Sequence, residues 1–278
     1  MRFSRKQEFA KSGCFGDCME GAVRKEELTF YNEYEQFYSM AGESKAFADF
    51  CREAFGDDFS QDGFSDWRQA ERILRLIDPE REFHVLDVGC GNGKLLKWIH
   101  EKTGARVHGF DYSANAIAEA KRGADESADF IEGCIGEVDF PKDSFDLVIS
   151  MDTMYFAPDM SAFIDQIMSW LKKDGILFVC YQEGDVMPKT EDAHSTVFAR
   201  ALASKRIGYE MEDLTRESYE ILQRKKEVAL KHEDAFRRER NDEWFEMLVG
   251  QAAYADESYE SYSRKLARYA YTVRKPEQ

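Results

Sequence analysis

Apolar positions in this chain follow two rhythms, and the change between them divides it. Phe47, Phe50, Cys51, Ala54 and Phe55 fall at helical spacing, i, i+3, i+4, i+7 and i+8. Trp67, Ala70, Ile73, Leu74 and Ile77 repeat that face, and Pro79 ends it. From Val85 onward the pattern shifts to short segments rich in apolar and strand-forming residues: 85–88, 106–111, 128–132, 145–151 and 176–179. Runs of that length read as strands buried on both faces. Between the first two lies a helical face of Leu95, Leu96 and Ile99. Leu171 to Lys173 reads as a helix end, and Asp174-Gly175 as the turn before the fifth strand.

Strands alternating with helices predict an α/β protein with a doubly wound, mostly parallel sheet and helices on both faces. Beyond the fifth strand, residues 191–204 read as helical and Ile207 to Leu214 as a sixth strand. Residues 217–240 read as one charge-rich helix whose apolar marks, Tyr219, Leu222 and Leu230, are sparse. Its basic residues predict a solvated face. Leu266 to Val273 is rich in strand formers and predicts the final strand. The expected organisation is a mobile arm over 1–26, a helical lid over 27–80, a core over 81–215, a helical lid insertion over 216–262 and the last strand within 263–278. The chain shows no internal repeat and no low-complexity segment.

The junction after the first strand carries the chemistry. Val85-Leu86-Asp87-Val88 runs into Gly89-Cys90-Gly91-Asn92-Gly93, and a helix follows at Lys94. Glycine allows sharp turns and lets a ligand approach the backbone. A strand, a glycine loop and a helix N-terminus in that order make a cofactor pocket at the strand's carboxyl end. Asp111 ends the second strand 18 residues after Gly93, near where an acid meets ribose hydroxyls in such units. The dinucleotide fingerprint G-x-G-x-x-G is the competing reading. Here the glycines alternate, and Asp87 precedes them. An acid there repels a pyrophosphate and suits an ammonium group, which argues against a nicotinamide oxidoreductase.

This stretch resembles motif I of the class I, Rossmann-like S-adenosylmethionine-dependent methyltransferases of small-molecule type, and the resemblance continues over about residues 83–181. It implies a seven-stranded sheet whose last strand is antiparallel, with S-adenosylmethionine as cofactor. By the same resemblance the cofactor site comprises Asp87, Gly89, Cys90, Gly91, Asn92, Gly93, Asp111, Tyr112, Cys134, Ile135 and Met151. Asp87 would organise the amino-acid end, and Asp111 would accept from both ribose hydroxyls. The sequence departs from the family at Cys134. Many members carry an acid there that accepts from the adenine amino group, and a thiol is a poor acceptor. Adenine is then expected to rest on backbone groups, Ile135 and Tyr112.

Methyl transfer asks the protein chiefly to align nucleophile, methyl carbon and sulfur. A base is needed only for a protonated nucleophile. The segment after the fourth strand supplies the candidates: Asp152, to hold an amine or take a proton, and Tyr155. A helix-capping role for Asp152 and a core role for Tyr155 are the plain alternatives. Tyr31, Tyr34 and Tyr38, with Tyr181 and Tyr219, are the expected acceptor-binding aromatics, although most aromatic stripes are core. An aromatic wall suits a cationic or planar acceptor.

Composition narrows the partners. The 278 residues carry a net charge of −16, which disfavours nucleic acid and anionic membrane. Of six cysteines, Cys90, Cys134 and Cys180 fall in or beside predicted strands, as expected of reduced thiols in a cytoplasm. Cys14-x-x-x-Cys18 lacks a second ligand pair, so no metal is expected. The first eight residues have no apolar core of a secretory signal, and no apolar run reaches membrane-spanning length. The expected function is methyl transfer to a small molecule, an amine first, with oxygen and carbon acceptors open. A non-catalytic S-adenosylmethionine-binding protein is the alternative of another class. Oligomeric state is left open by the sequence.

Overall fold

The computed structural model describes residues 28, 30–60 and 63–277. The expected arm over 1–26 and the Cys14/Cys18 pair lie outside the described residues. The element order is α1 (Tyr31–Glu43), α2 (Lys45–Phe55), α3 (Trp67–Leu74), β1 (His84–Val88), α4 (Lys94–Thr103), β2 (Arg106–Asp111), α5 (Ala114–Arg122), β3 (Ala128–Glu132), β4 (Phe145–Met151), α6 (Met160–Trp170) and β5 (Leu171–Glu183). It continues with α7 (Val197–Ser204), β6 (Glu210–Asp213), α8 (Thr215–Lys231), α9 (Glu233–Arg238), α10 (Asp242–Ala252), α11 (Tyr259–Lys265) and β7 (Ala267–Arg274).

The seven strands form one sheet in the order β3-β2-β1-β4-β5-β7-β6. The neighbours from β3 to β5 pair in parallel, while β7 runs antiparallel to both β5 and β6. The strand order reverses at β1/β4, and ligands bind open α/β sheets in the crevice beyond such a point. Central strands are covered on both sides. Leu147 and Ile149 pack with Ile73, Leu96 and Ile117 from α3, α4 and α5. Val148, Leu177 and Val179 pack with Ile164 and Ile167 of α6 and Phe198 and Leu202 of α7. That two-sided burial is why these strands read as unbroken apolar runs.

Two elements differ from the expectation. The segment at Leu171 is strand rather than helix end: α6 stops at Trp170, and β5 pairs Leu171 with Phe145 before a register shift. Asp174, with φ 63°, and Gly175 lie within that irregularity rather than before the strand. The predicted helix over 217–240 breaks at His232 into α8 and α9. The helical segments that flank the core in sequence share an aromatic core in space. Phe37, Phe47 and Phe50 of α1 and α2 pack with Ile221, Val228, Phe236, Phe245 and Leu248 of α8 to α10.

Candidate cofactor and acceptor site

The loop leaving β1 is built around backbone shapes that side chains resist. Gly89 and Gly91 lie in the left-handed region, at φ 76° and 53°. The amides of Gly89 and Cys90 both donate to the Phe110 carbonyl, at 2.9 and 3.0 Å, which pins the loop to the end of β2. A Cβ on Gly89 would stand 2.4 Å from Thr153 Cγ2, and one on Gly91 would stand 2.3 Å from the Tyr38 hydroxyl. The loop is therefore pressed from one side by the β4 turn and from the other by α1.

Two carboxyls are buried beside it. Asp111 accepts from the Gly91 amide at 3.0 Å and the Ser113 amide at 2.9 Å. Burial pushes its carboxyl up to about 6, against the pull of those bonds. Asp87 is 3% exposed, and burial, with Asp111 nearby, pushes its carboxyl up to about 8. Among the described residues, Asp87 Oδ1 and Asn92 Nδ2 are buried without a hydrogen-bond partner. A buried acceptor and a buried donor left unmatched cost free energy, and a ligand with both groups recovers it.

Helix α1 closes this end. Glu35 accepts from Ser113 Oγ at 2.5 Å and from the Asn115 amide at 3.2 Å. Tyr31 and Tyr34 meet the Tyr112 ring with centroids 5.6 and 6.2 Å away. Tyr34 stacks on Tyr38, and burial raises the Tyr38 hydroxyl well above its ordinary value. Tyr38 thus faces the glycine loop rather than an acceptor space apart from it. Cys134 is half-buried and Ile135 packs against the α6 side of the core, so both stand where the β3 loop turns. Met151 is half-buried on the opposite face.

The turn after β4 is arranged differently from the sequence expectation. Asp152 has φ 64°, and both of its carboxylate oxygens are taken by the Arg268 guanidinium, at 2.6 and 2.9 Å. Arg268 is fully buried on β7 and also donates to Gln69 Oε1 at 2.9 Å and Ser65 Oγ at 2.6 Å. A carboxylate so engaged does not stand open to an amine, and it caps no helix. Tyr155 packs edge-on against Tyr181, centroids 5.6 Å apart. The fully buried Tyr181 hydroxyl has no partner among the described residues. Tyr219 lies elsewhere, in a satellite cluster with Tyr259 and Tyr262, its hydroxyl donating to the Glu257 carbonyl at 2.8 Å. The structure thus gathers Tyr31, Tyr34, Tyr38 and Tyr112 in one group and Tyr155 and Tyr181 in another. Arg268, Gln69 and Thr153 were missed from sequence. An arginine inside the apolar β7 run was the available signal, since a buried charge demands partners.

The strand order, the left-handed glycine loop and the acid ending β2 define a Rossmann-like nucleoside-cofactor fold. Residues 85–175 match the family described as a methyltransferase domain. Over that segment the chain is similar to methyltransferase domains. The sterol 24-C-methyltransferase ERG6B of Gibberella zeae is 31% identical over 170 residues, which cover 57% of this chain and 44% of that protein. The ubiquinone biosynthesis O-methyltransferase of Rhodopseudomonas palustris is 34% identical over 115 residues, 40% of this chain and 45% of that one. The chain thus spans less than half the length of these curated relatives. A phosphoethanolamine N-methyltransferase 2 of Haemonchus contortus, solved with S-adenosylhomocysteine, superposes with TM-score 0.70 at 20% identity, over 88% of this chain and 60% of that one. That likeness is one of fold.

No helix among the described residues is long and apolar enough to cross a membrane. No group of three or more His, Cys, Asp or Glu among them could hold a metal ion.

Proposed function

We propose that this chain transfers a methyl group from S-adenosylmethionine to a small-molecule acceptor. One observation carries the reading: a buried Asp87 oxygen and a buried Asn92 amide nitrogen, both without a partner among the described residues, on the strand and left-handed glycine loop that lead into a helix N-terminus. The residues fit the cofactor. Asp87 would meet its ammonium group, and Gly89, Cys90, Gly91, Asn92 and Gly93 would form the backbone cradle. Asp111 would accept from ribose, Tyr112 and Ile135 would pack on the adenine with Cys134 nearby, and Met151 would line the cofactor site from the other face of the sheet. When bound, the cofactor supplies an already activated methyl on a sulfonium. The protein's share is to orient the acceptor and exclude water.

Tyr31, Tyr34, Tyr155 and Tyr181 provide the acceptor's aromatic walls, and Tyr38 closes the loop beside Gly91. Such walls suit an amine through its cationic form. Oxygen and carbon acceptors are the alternatives, and the relatives' names include both. Because Asp152 is held by Arg268, it sets the turn that carries Tyr155, and an amine acceptor would give its proton to solvent water before its freed lone pair attacks the methyl. The chain works on small molecules in the cytoplasm, and its charge of −16 speaks against nucleic acid.

Residues 27–45 and 216–262 act as the lid over this edge, opening to admit ligand. Hydrogen exchange with and without S-adenosylhomocysteine should show both segments more protected when ligand is bound. Equal exchange would make them fixed structure. The function itself is tested by incubating the protein with isotope-labelled S-adenosylmethionine and a metabolite extract, followed by mass spectrometry. Label transferred to a small metabolite is the expected result. Tight binding without transfer to any metabolite would favour the non-catalytic alternative.

A further inference from the structure

We propose that Arg268 is a positioning residue for the cofactor loop, acting through the Asp152–Thr153 turn. This inference rests on the cofactor reading above. The path is a short series of direct contacts. The guanidinium grips Asp152 with both terminal nitrogens, at 2.6 and 2.9 Å. A forked grip fixes orientation as well as distance. It holds Asp152 at φ 64°, a conformation that non-glycine residues adopt at a cost and keep only where their surroundings impose it.

The next residue delivers the effect. The Thr153 hydroxyl donates to the Val88 carbonyl at the end of β1, and it lies 2.6 Å from Ser150 Oγ. The Thr153 methyl occupies the space that a side chain on Gly89 would need. The turn therefore braces the first residue of the glycine loop from the side away from Tyr38. The same guanidinium also holds Ser65 and Gln69, before and on α3, and reaches Gln182 of β5 at 3.5 Å. One buried cation thus ties the helices preceding the sheet to the β4 turn and to β5. A loop held in its binding shape beforehand loses less on binding. Neither Arg268 nor Thr153 needs to touch the cofactor for this to act.

The test is a double-mutant cycle read as S-adenosylhomocysteine affinity by titration calorimetry. Thermal melts on every variant report folding separately. Wild-type protein must bind S-adenosylhomocysteine first; failure there overturns the cofactor reading and this inference with it. Given binding, Arg268→Met and Thr153→Ala should each weaken affinity about tenfold while folded. If the effect of Arg268 runs through Thr153, the double variant should also stay about tenfold weaker rather than about a hundredfold. Arg268→Lys keeps the charge without the fork and should fall between wild type and Arg268→Met. Should Arg268→Met fail to fold, the cycle of Arg268→Lys with Thr153→Ala decides the question by the same non-additivity. Folded Arg268 variants that bind like wild type would overturn the proposal. So would losses that multiply in the double variant, because a merely structural mount has no reason to couple to Thr153.

Discussion

Two acidic sites stand along one sheet edge, and they treat buried charge in opposite ways. At the end of β4, Asp152 is saturated: a fully buried arginine matches it oxygen for oxygen. At the end of β1, Asp87 is more deeply buried than Asp152, yet one of its oxygens has no partner among the described residues. A carboxylate paired inside the protein holds the fold together. One left unmatched in the same protein is a cost that a cationic ligand removes. The comparison separates scaffold from site where both carry an aspartate in a loop after a strand.

The largest expected effect breaks the pair. Asp152→Ala leaves the Arg268 guanidinium buried without its counter-charge, and should cost about 3–5 kcal/mol of stability. Asp87→Asn should leave the empty protein as stable or more so, since it removes a carboxyl held in an unfavourable place. Urea melts of the two variants check the contrast. Equal losses would mean the two aspartates play the same structural part.

Next in size is ligand affinity. Asp111→Ala strands the Gly91 and Ser113 amides and removes the proposed acceptor for ribose, so S-adenosylhomocysteine binding should weaken by about 1–3 kcal/mol. Calorimetry showing unchanged affinity would remove Asp111 from the cofactor site.

The pH behaviour sharpens the same contrast. With its carboxyl near 8 against an ordinary 3.8, Asp87 keeps its proton in the folded chain across a window where the unfolded chain has lost it. Its contribution to stability is therefore greatest at the acid end of that window and falls as pH rises toward 8. A bound ammonium favours the ionised form, so cofactor binding near neutral pH should release a proton. Binding heats measured in two buffers of different ionisation enthalpy read that proton directly. Identical heats would mean that no proton leaves on binding, against an Asp87 that ionises as the ammonium arrives.

The smallest effect concerns adenine. Cys134→Asp supplies the acceptor common in the family, and should maintain or modestly tighten cofactor binding. A large loss would show that the thiol fills a packed contact in the β3 loop.

How much of this was legible in advance follows from the range of the interactions. The parallel strands could be read because each is a local apolar run, and β2, β3 and β4 lie where their runs predicted. The glycine loop was legible because its left-handed backbone is a local demand that glycine meets. The extra length of β5 was hidden, since its first residues, Leu171-Lys172-Lys173, are strand only because Phe145 offers a partner across a register shift. Local propensity carries no record of that neighbour.

The site divides the same way. By itself the sequence determined the alternation of strand and helix, the cofactor loop and the acid ending β2, because each rests on residues close in the chain. Tertiary structure alone decided the part played by Asp152. Its partner stands on the last strand, 116 residues away, and Gln69 and Ser65 reach the same guanidinium from before the first. It also placed Tyr38 against Gly91 and put Tyr219 in a cluster apart from Tyr34 and Tyr38. A side chain's type says which bonds it can make. Which partner comes within about 3 Å is settled by the packing of elements distant in sequence, and on that the chemistry of a buried charge depends.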